Sequence, residues 1–189
     1  MTHSRFARRW LALLLLPPLL SFTDAPLRAG DWRYDTVAAP RNERLFRQVM
    51  LGGQNAARAL VGLTPLIWDE RLAVAARNYA AVLARSGRFQ HARQPMDNSR
   101  QGENLWMGTR DAYRYDEMLG HWLEERRVYV NGAVPSVSRT GHWEDAGHYS
   151  QIVWRGTRSV GCAMVAGAND DYLVCRYSPG GNVYGQVAY

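Results

Sequence analysis

The chain contains no lysine; all 23 of its basic residues are arginine. Chemistry that depends on a lysine is excluded with it, both Schiff-base catalysis and the phosphate-loop lysine of nucleotide-binding proteins. No His-Glu-x-x-His helix and no Gly-x-Ser-x-Gly elbow occurs, which removes two common signatures of hydrolases. There is no internal repeat and no low-complexity tract. The apolar run from Trp10 to Leu20 is short for a membrane span and is broken by Pro17 and Pro18. Cysteine is limited to two residues. Against these absences, 189 residues with 47% hydrophobic content suit one globular domain with a substantial core.

Arg5, Arg8 and Arg9 precede the apolar run and small residues follow it, the layout of a secretory signal over residues 1–29. Cleavage is expected after Ala29. Ala25 is the weaker candidate, because Pro26 would follow the cut, and an uncleaved membrane anchor is the alternative. No cysteine stands near this segment, which argues against a bacterial lipid anchor. The segment holds four arginines against Asp24, so it carries +3 of the formal +6 and leaves +3 on the mature chain. Those remaining charges are scattered, without a basic run or stacking motif, and nucleic-acid binding is not expected despite a pI of 9.7. The expected location is secreted or periplasmic.

Val160 to Ala166 and Asp171 to Tyr177 read as strands, and Gly167-Ala168-Asn169-Asp170 between them is rich in turn formers. With those four as the loop, Ala166 faces Asp171, and counting back places Cys162 opposite Cys175. Cross-strand neighbours have Cβ atoms ~5 Å apart, within reach of a disulfide. Two buried free thiols are the other possibility, and export favours the bridge.

Residues 30–42 mix proline, glycine and charge and read as an irregular lead-in. A helix is expected from about Glu43 to Leu60 and a second one after Asp69, a good N-cap, until Ser86-Gly87. Gly102-Glu103-Asn104 reads as a glycine-led loop before a short apolar stretch, and helix resumes near Asp111. Residues 131–147 read as loop. Gly147 to Trp154 reads as a buried strand opened by His148, with Ser150, Ile152 and Trp154 on the same face. Helices first and an antiparallel sheet afterwards make an α+β arrangement.

A histidine at the mouth of an apolar segment needs partners, because an unpaired buried polar group costs ~1–3 kcal/mol. Glu125 lies three residues after Trp122, at the margin of an apolar helical stripe, and also needs one. Glu103 in its loop and His91 beyond a helix end are other polar groups that a scaffold could present. On the residues alone, capping or surface roles are the simpler reading of all four.

Gln-Asn-Ala-Ala-Arg at 54–58, Leu-Ile-Trp-Asp-Glu-Arg-Leu-Ala at 66–73, Gly-Glu-Asn-Leu at 102–105, and Trp122 with Glu125 resemble the CAP superfamily in sequence and order. Gly-His-Tyr-Ser-Gln-Ile-Val-Trp at 147–154 is similar to its first signature, and the stretch from Tyr172 to Val183 to its second. The family includes cysteine-rich secretory proteins, venom antigen 5 and plant pathogenesis-related 1 proteins. The resemblance covers about residues 43–187, and residues 43–189 are taken as one CAP (SCP) domain. It implies a three-layer α-β-α sandwich with a central antiparallel sheet and an open cleft. It also implies a tetrad of His91, Glu103, Glu125 and His148, with His91 and His148 as ligands of a divalent metal, often zinc. Functions resting on the additional disulfides of many eukaryotic members do not transfer to a chain with two cysteines.

Two imidazoles can hold zinc weakly, with carboxylates orienting them. Two expectations follow. In the first, an exported binding protein uses the cleft for a small, lipid-like or peptide ligand, its tryptophans and tyrosines offering apolar faces with a polar handle. In the second, a metal-assisted hydrolase of peptidase type uses Glu103 or Glu125 as general base. A partner-binding domain with a vestigial cleft is a third class. Ser150 is a secondary nucleophile candidate, with a plain structural hydroxyl as the simpler reading. His142 is a candidate for the cleft rim, and His121 is expected at the surface, one helical turn from Glu125.

Overall fold

A computed structural model describes residues 40–189 apart from positions 96 and 98. The signal segment, its cleavage site and most of the lead-in lie outside the described residues. Among the described residues no helix is long and apolar enough to cross a membrane.

Helix α1 spans Glu43–Ala59, and its first turn is capped by Asn42, whose Oδ1 accepts the Leu45 N–H at 2.8 Å. Strand β1, Ile67–Trp68, leads into α2, Glu70–Ser86. Asp69 Oδ1 accepts from the N–H groups of Arg71 and Leu72, and Gly87 ends the helix in the left-handed conformation that a residue with a side chain adopts at a cost. Strand β2 follows at Gly102–Thr109 and helix α3 at Tyr115–Glu124, continued by a 3₁₀ turn at Glu125–Arg127. A second 3₁₀ turn, Trp143–Ala146, runs into the short helix α4, Gly147–Ile152. Strands β3, Ser159–Ala166, and β4, Asp170–Ser178, close the sheet.

The sheet order is β1-β3-β4-β2. Strand β4 runs antiparallel to its two long neighbours, β3 and β2, and the two-residue β1 adds a parallel pairing to β3. Alternation along β4 divides the core in two. Leu173, Cys175 and Tyr177 join a cluster with Phe46, Met50, Met118 and Trp122 from α1 and α3, whereas Tyr172 and Val174 meet Ala76, Ala80 and Leu83 of α2. The result is the expected α-β-α sandwich. Helix α2 comes close enough to β3 that a Cβ on Gly161 would lie 2.2 Å from the Ala73 nitrogen, so only glycine fits there.

The β3–β4 hairpin has the register counted from its turn: Ala166 faces Asp171, Cys162 faces Cys175, and the two cysteines form a disulfide. Three local expectations are corrected. Glu103 is not in a loop but in β2, because Gly102 already pairs with Tyr177 of β4. The third helix starts at Tyr115, not at Asp111, whose backbone is left-handed in the preceding turn.

The segment from Gly147 is helical rather than a strand. Its residues from Tyr149 to Trp154 are all buried, so no exposed face marks a period of two or of 3.6. Its N-cap, Ala146, has no capping side chain. The cap comes instead from outside the segment, where Glu125 Oε2 accepts the Tyr149 N–H at 2.9 Å.

Candidate functional site

The four tetrad residues form two histidine–glutamate pairs. Nδ1 of His91 is 2.7 Å from Glu103 Oε1, and the same oxygen accepts the N–H of Ala92 at 3.0 Å. Nδ1 of His148 is 2.5 Å from Glu125 Oε1, and Oε2 accepts the N–H of Tyr149. In both pairs one carboxylate therefore holds the ring and the peptide that follows it. This fixes each imidazole twice, and no hydrogen bond within the described residues engages Nε2 of either ring.

The surroundings differ. Glu103 Oε2 lies 2.8 Å from Arg176 Nη2, an ion pair in which both side chains are buried. Burial works against the guanidinium charge and Glu103 supports it. Arg176 also sits over the ring of Tyr79 at 5.3 Å, and the Tyr79 hydroxyl donates to the Gln90 carbonyl at 2.6 Å. Helix α2 is thereby tied to the loop that presents His91.

Among the described residues no arginine forms an ion pair with Glu125 of the second pair. His148 instead stacks on Trp122, with ring centroids 5.8 Å apart, and the Trp122 indole donates to the Leu105 carbonyl.

A cleft of about 420 Å³ runs between the pairs. His91, Glu103, Asn104, His148, Trp143 and Asn182 are among its walls, and Glu125 is set behind His148. Asn182 donates to the Gly147 carbonyl and Asn104 to the His148 carbonyl, at 2.8 and 3.1 Å. These amides steady the two peptides that flank the His148 backbone.

The secondary candidates are not brought to the cleft. Ser150 is fully buried, and its hydroxyl has no hydrogen-bond partner among the described residues, so it reaches neither a base nor a substrate. His142 is exposed and outside the cleft lining, although its neighbours Trp143 and Glu144 are in it. His121 is exposed as expected. Its partner is not Glu125: Nδ1 accepts the Trp106 indole N–H at 2.7 Å, and the ring stacks on that indole.

Sequence reasoning missed Arg176, Asn104 and Asn182. An arginine between Cys175 and Tyr177 in an otherwise apolar strand was a usable sign of a buried ion pair. The two asparagines carried no such mark.

A sequence profile of the cysteine-rich secretory protein family, CAP, matches residues 51–177. Pathogenesis-related protein 1C of Nicotiana tabacum is 36% identical over 144 residues, covering 76% of this chain and 80% of that protein. Pathogenesis-related protein PR-1 of Medicago truncatula is 34% identical over 151 residues, covering 77% and 80%. Among solved structures, NaASP2 with Zn2+ superposes with a TM-score of 0.64 and 25% identity, covering 80% of this chain and 89% of that one. BmVAL-1, at 22% identity and a TM-score of 0.61, shares the fold.

Proposed function

The chain belongs to the CAP family and is of the pathogenesis-related 1 type, and from this premise we propose an exported binding protein whose cleft holds a divalent metal weakly through His91 and His148. Around that centre the cleft takes a small, lipid-like or peptide ligand. The observation that carries this reading is the use of both carboxylates. Each accepts from a histidine Nδ1 and a backbone N–H, which leaves Nε2 as the lone-pair nitrogen of each ring. A carboxylate that orients an imidazole is the usual outer support of a histidine metal ligand.

The reading asks for two ring nitrogens from the protein and no more, since among the described residues no group of three or more His, Cys, Asp or Glu side chains is arranged to hold a metal. Imidazole suits zinc, and a bound ion there would polarise a ligand oxygen or nitrogen. Water would complete the coordination, so the ion would exchange and folding would not depend on it. The crystallisation of NaASP2 with Zn2+ supports this assignment. A wider groove of about 700 Å³ between α1 and α2 has no histidine in its lining. Export is supported by the N-terminal pattern of arginines and apolar residues and by the disulfide.

The hydrolase reading needs Glu103 or Glu125 to accept a proton from water. Glu125 has given each oxygen to an N–H, and Glu103 Oε2 is buried against Arg176. The binding reading asks nothing more of either group.

Native mass spectrometry of the mature protein, purified from an exporting host without chelator, tests the proposal against a His91→Ala/His148→Ala variant. A zinc-sized mass increment on the wild type alone is the expected result. Bare protein in both samples, persisting after added Zn2+, overturns the metal assignment.

A further inference from the structure

Glu103 and Asn104 are consecutive residues of β2, and a strand sends consecutive side chains to opposite faces. Glu103 reaches the α2 side, where Arg176 and Tyr79 lie. Asn104 reaches the other side, towards α4. One peptide of an edge strand therefore carries the contacts that hold both histidines.

Asn104 is buried and spends both N–H groups. One donates to the His148 carbonyl and the other to the Tyr177 hydroxyl, each at 3.1 Å. Tyr177, fully buried, donates to Gln54 Oε1 at 2.9 Å, and Gln54 Nε2 ends 3.9 Å from both sulfurs of the Cys162–Cys175 disulfide. Every donor in this chain points the same way, from the amide of Asn104 through the phenol to Gln54.

We infer that Asn104 is a positioning residue of the cleft, the end of a buried polar strut through Tyr177 and Gln54 that fixes the His148–Glu125 pair relative to the strand bearing Glu103. The inference rests on the two pairs being the ligand-holding groups. Burial raises the Tyr177 phenol well above its ordinary range, so it stays protonated, and the Asn104 amide nitrogen, which can only donate, sets the direction of the strut. An apolar residue at 104 would leave the Tyr177 hydroxyl and the His148 carbonyl short of a donor. A polar chain through a core otherwise built of Met50, Met118 and Trp122 has no packing advantage over apolar side chains of the same shape.

The test compares Asn104→Ala, the milder Tyr177→Phe, and Val174→Ala, a core truncation on the opposite face of β4. Imidazole ¹⁵N shifts of His91 and His148 are recorded on the full mature chain without metal, and Co2+ affinity is measured by titration. Asn104→Ala and Tyr177→Phe are expected to move the His148 shifts and leave those of His91 in place. Asn104→Ala is expected to weaken Co2+ by ~10-fold, the usual scale for an outer support of a metal ligand. Val174→Ala lowers Tm and moves neither ring.

Unmoved His148 shifts in folded Asn104→Ala and Tyr177→Phe overturn the inference. Equal movement in Val174→Ala does the same, since that reports general loosening. Should the wild type bind no Co2+, the metal assignment fails, and the ¹⁵N comparison still decides the role of Asn104.

Discussion

The two histidine–glutamate pairs use the same grip but stand on different foundations. Glu103 is nearly enclosed, with 4% of its side chain exposed, while its histidine is 63% exposed. In the other pair the exposures are 15% for Glu125 and 30% for His148. The first pair is an ionic foundation under an exposed rim: Arg176 anchors Glu103, and among the described residues Glu103 is the hydrogen-bond partner of the His91 ring. The second is a packed one, with His148 lying on Trp122 and its backbone held by Asn104, Asn182 and Glu125. The cleft thus has one wall built on aromatic packing and one built on a buried ion pair.

The comparison is broken most strongly at Arg176. Arg176→Met leaves Glu103 as an uncompensated buried carboxylate and is expected to cost about 3–5 kcal/mol of stability. Chemical denaturation measures the loss, and an effect below ~1 kcal/mol would show that Arg176 is not the foundation of the first pair.

Glu125→Gln comes next. The amide keeps one acceptor for two donors, His148 Nδ1–H and Tyr149 N–H, so one of them loses its partner, a loss of about 1–3 kcal/mol. Because the Tyr149 bond also caps α4, Glu125→Gln should increase amide hydrogen exchange throughout Gly147 to Ile152. Glu103→Gln should leave that helix protected. Equal exchange in the two variants would erase the proposed difference between the pairs.

The smallest effect is a difference in alkaline slope. Burial raises the phenols of both Tyr177 and Tyr79, and Tyr177 the more strongly. In the unfolded chain each ionises near pH 10. Their contribution is complete below that pH and is lost as pH rises towards the folded value, at ~1.4 kcal/mol per pH unit for each phenol that stays protonated. Tyr177→Phe should therefore flatten the fall in stability above pH 10 more than Tyr79→Phe does.

How far the sequence speaks for itself differs from element to element. The disulfide register was legible because a turn and two alternating strands determine it locally, and α2 because Asp69 and Gly87 mark both its ends. Helix α4 was not, because its cap comes from Glu125, 24 residues before Tyr149, and because burial on every side leaves no periodic pattern. That His91, Glu103, Glu125 and His148 form one set came from family resemblance, since spacing alone left all four in capping or surface roles; which glutamate holds which histidine came only from the structure. Arg176 and Asn104 gain their roles only when β2 lies beside β4, a contact between residues more than seventy positions apart.

Gly102 opens β2 at the foot of the cleft. A Cβ there would stand 2.0 Å from Gln151 Oε1 and 3.3 Å from the Tyr177 Cβ. Gln151 has little freedom to withdraw, since it accepts the Gly181 N–H and donates to Thr157. The gauge of the opening is thus set by a hydrogen atom. Any larger substituent at 102 becomes a wedge between strand and helix, prising the two imidazoles apart while leaving every polar residue of the tetrad unchanged.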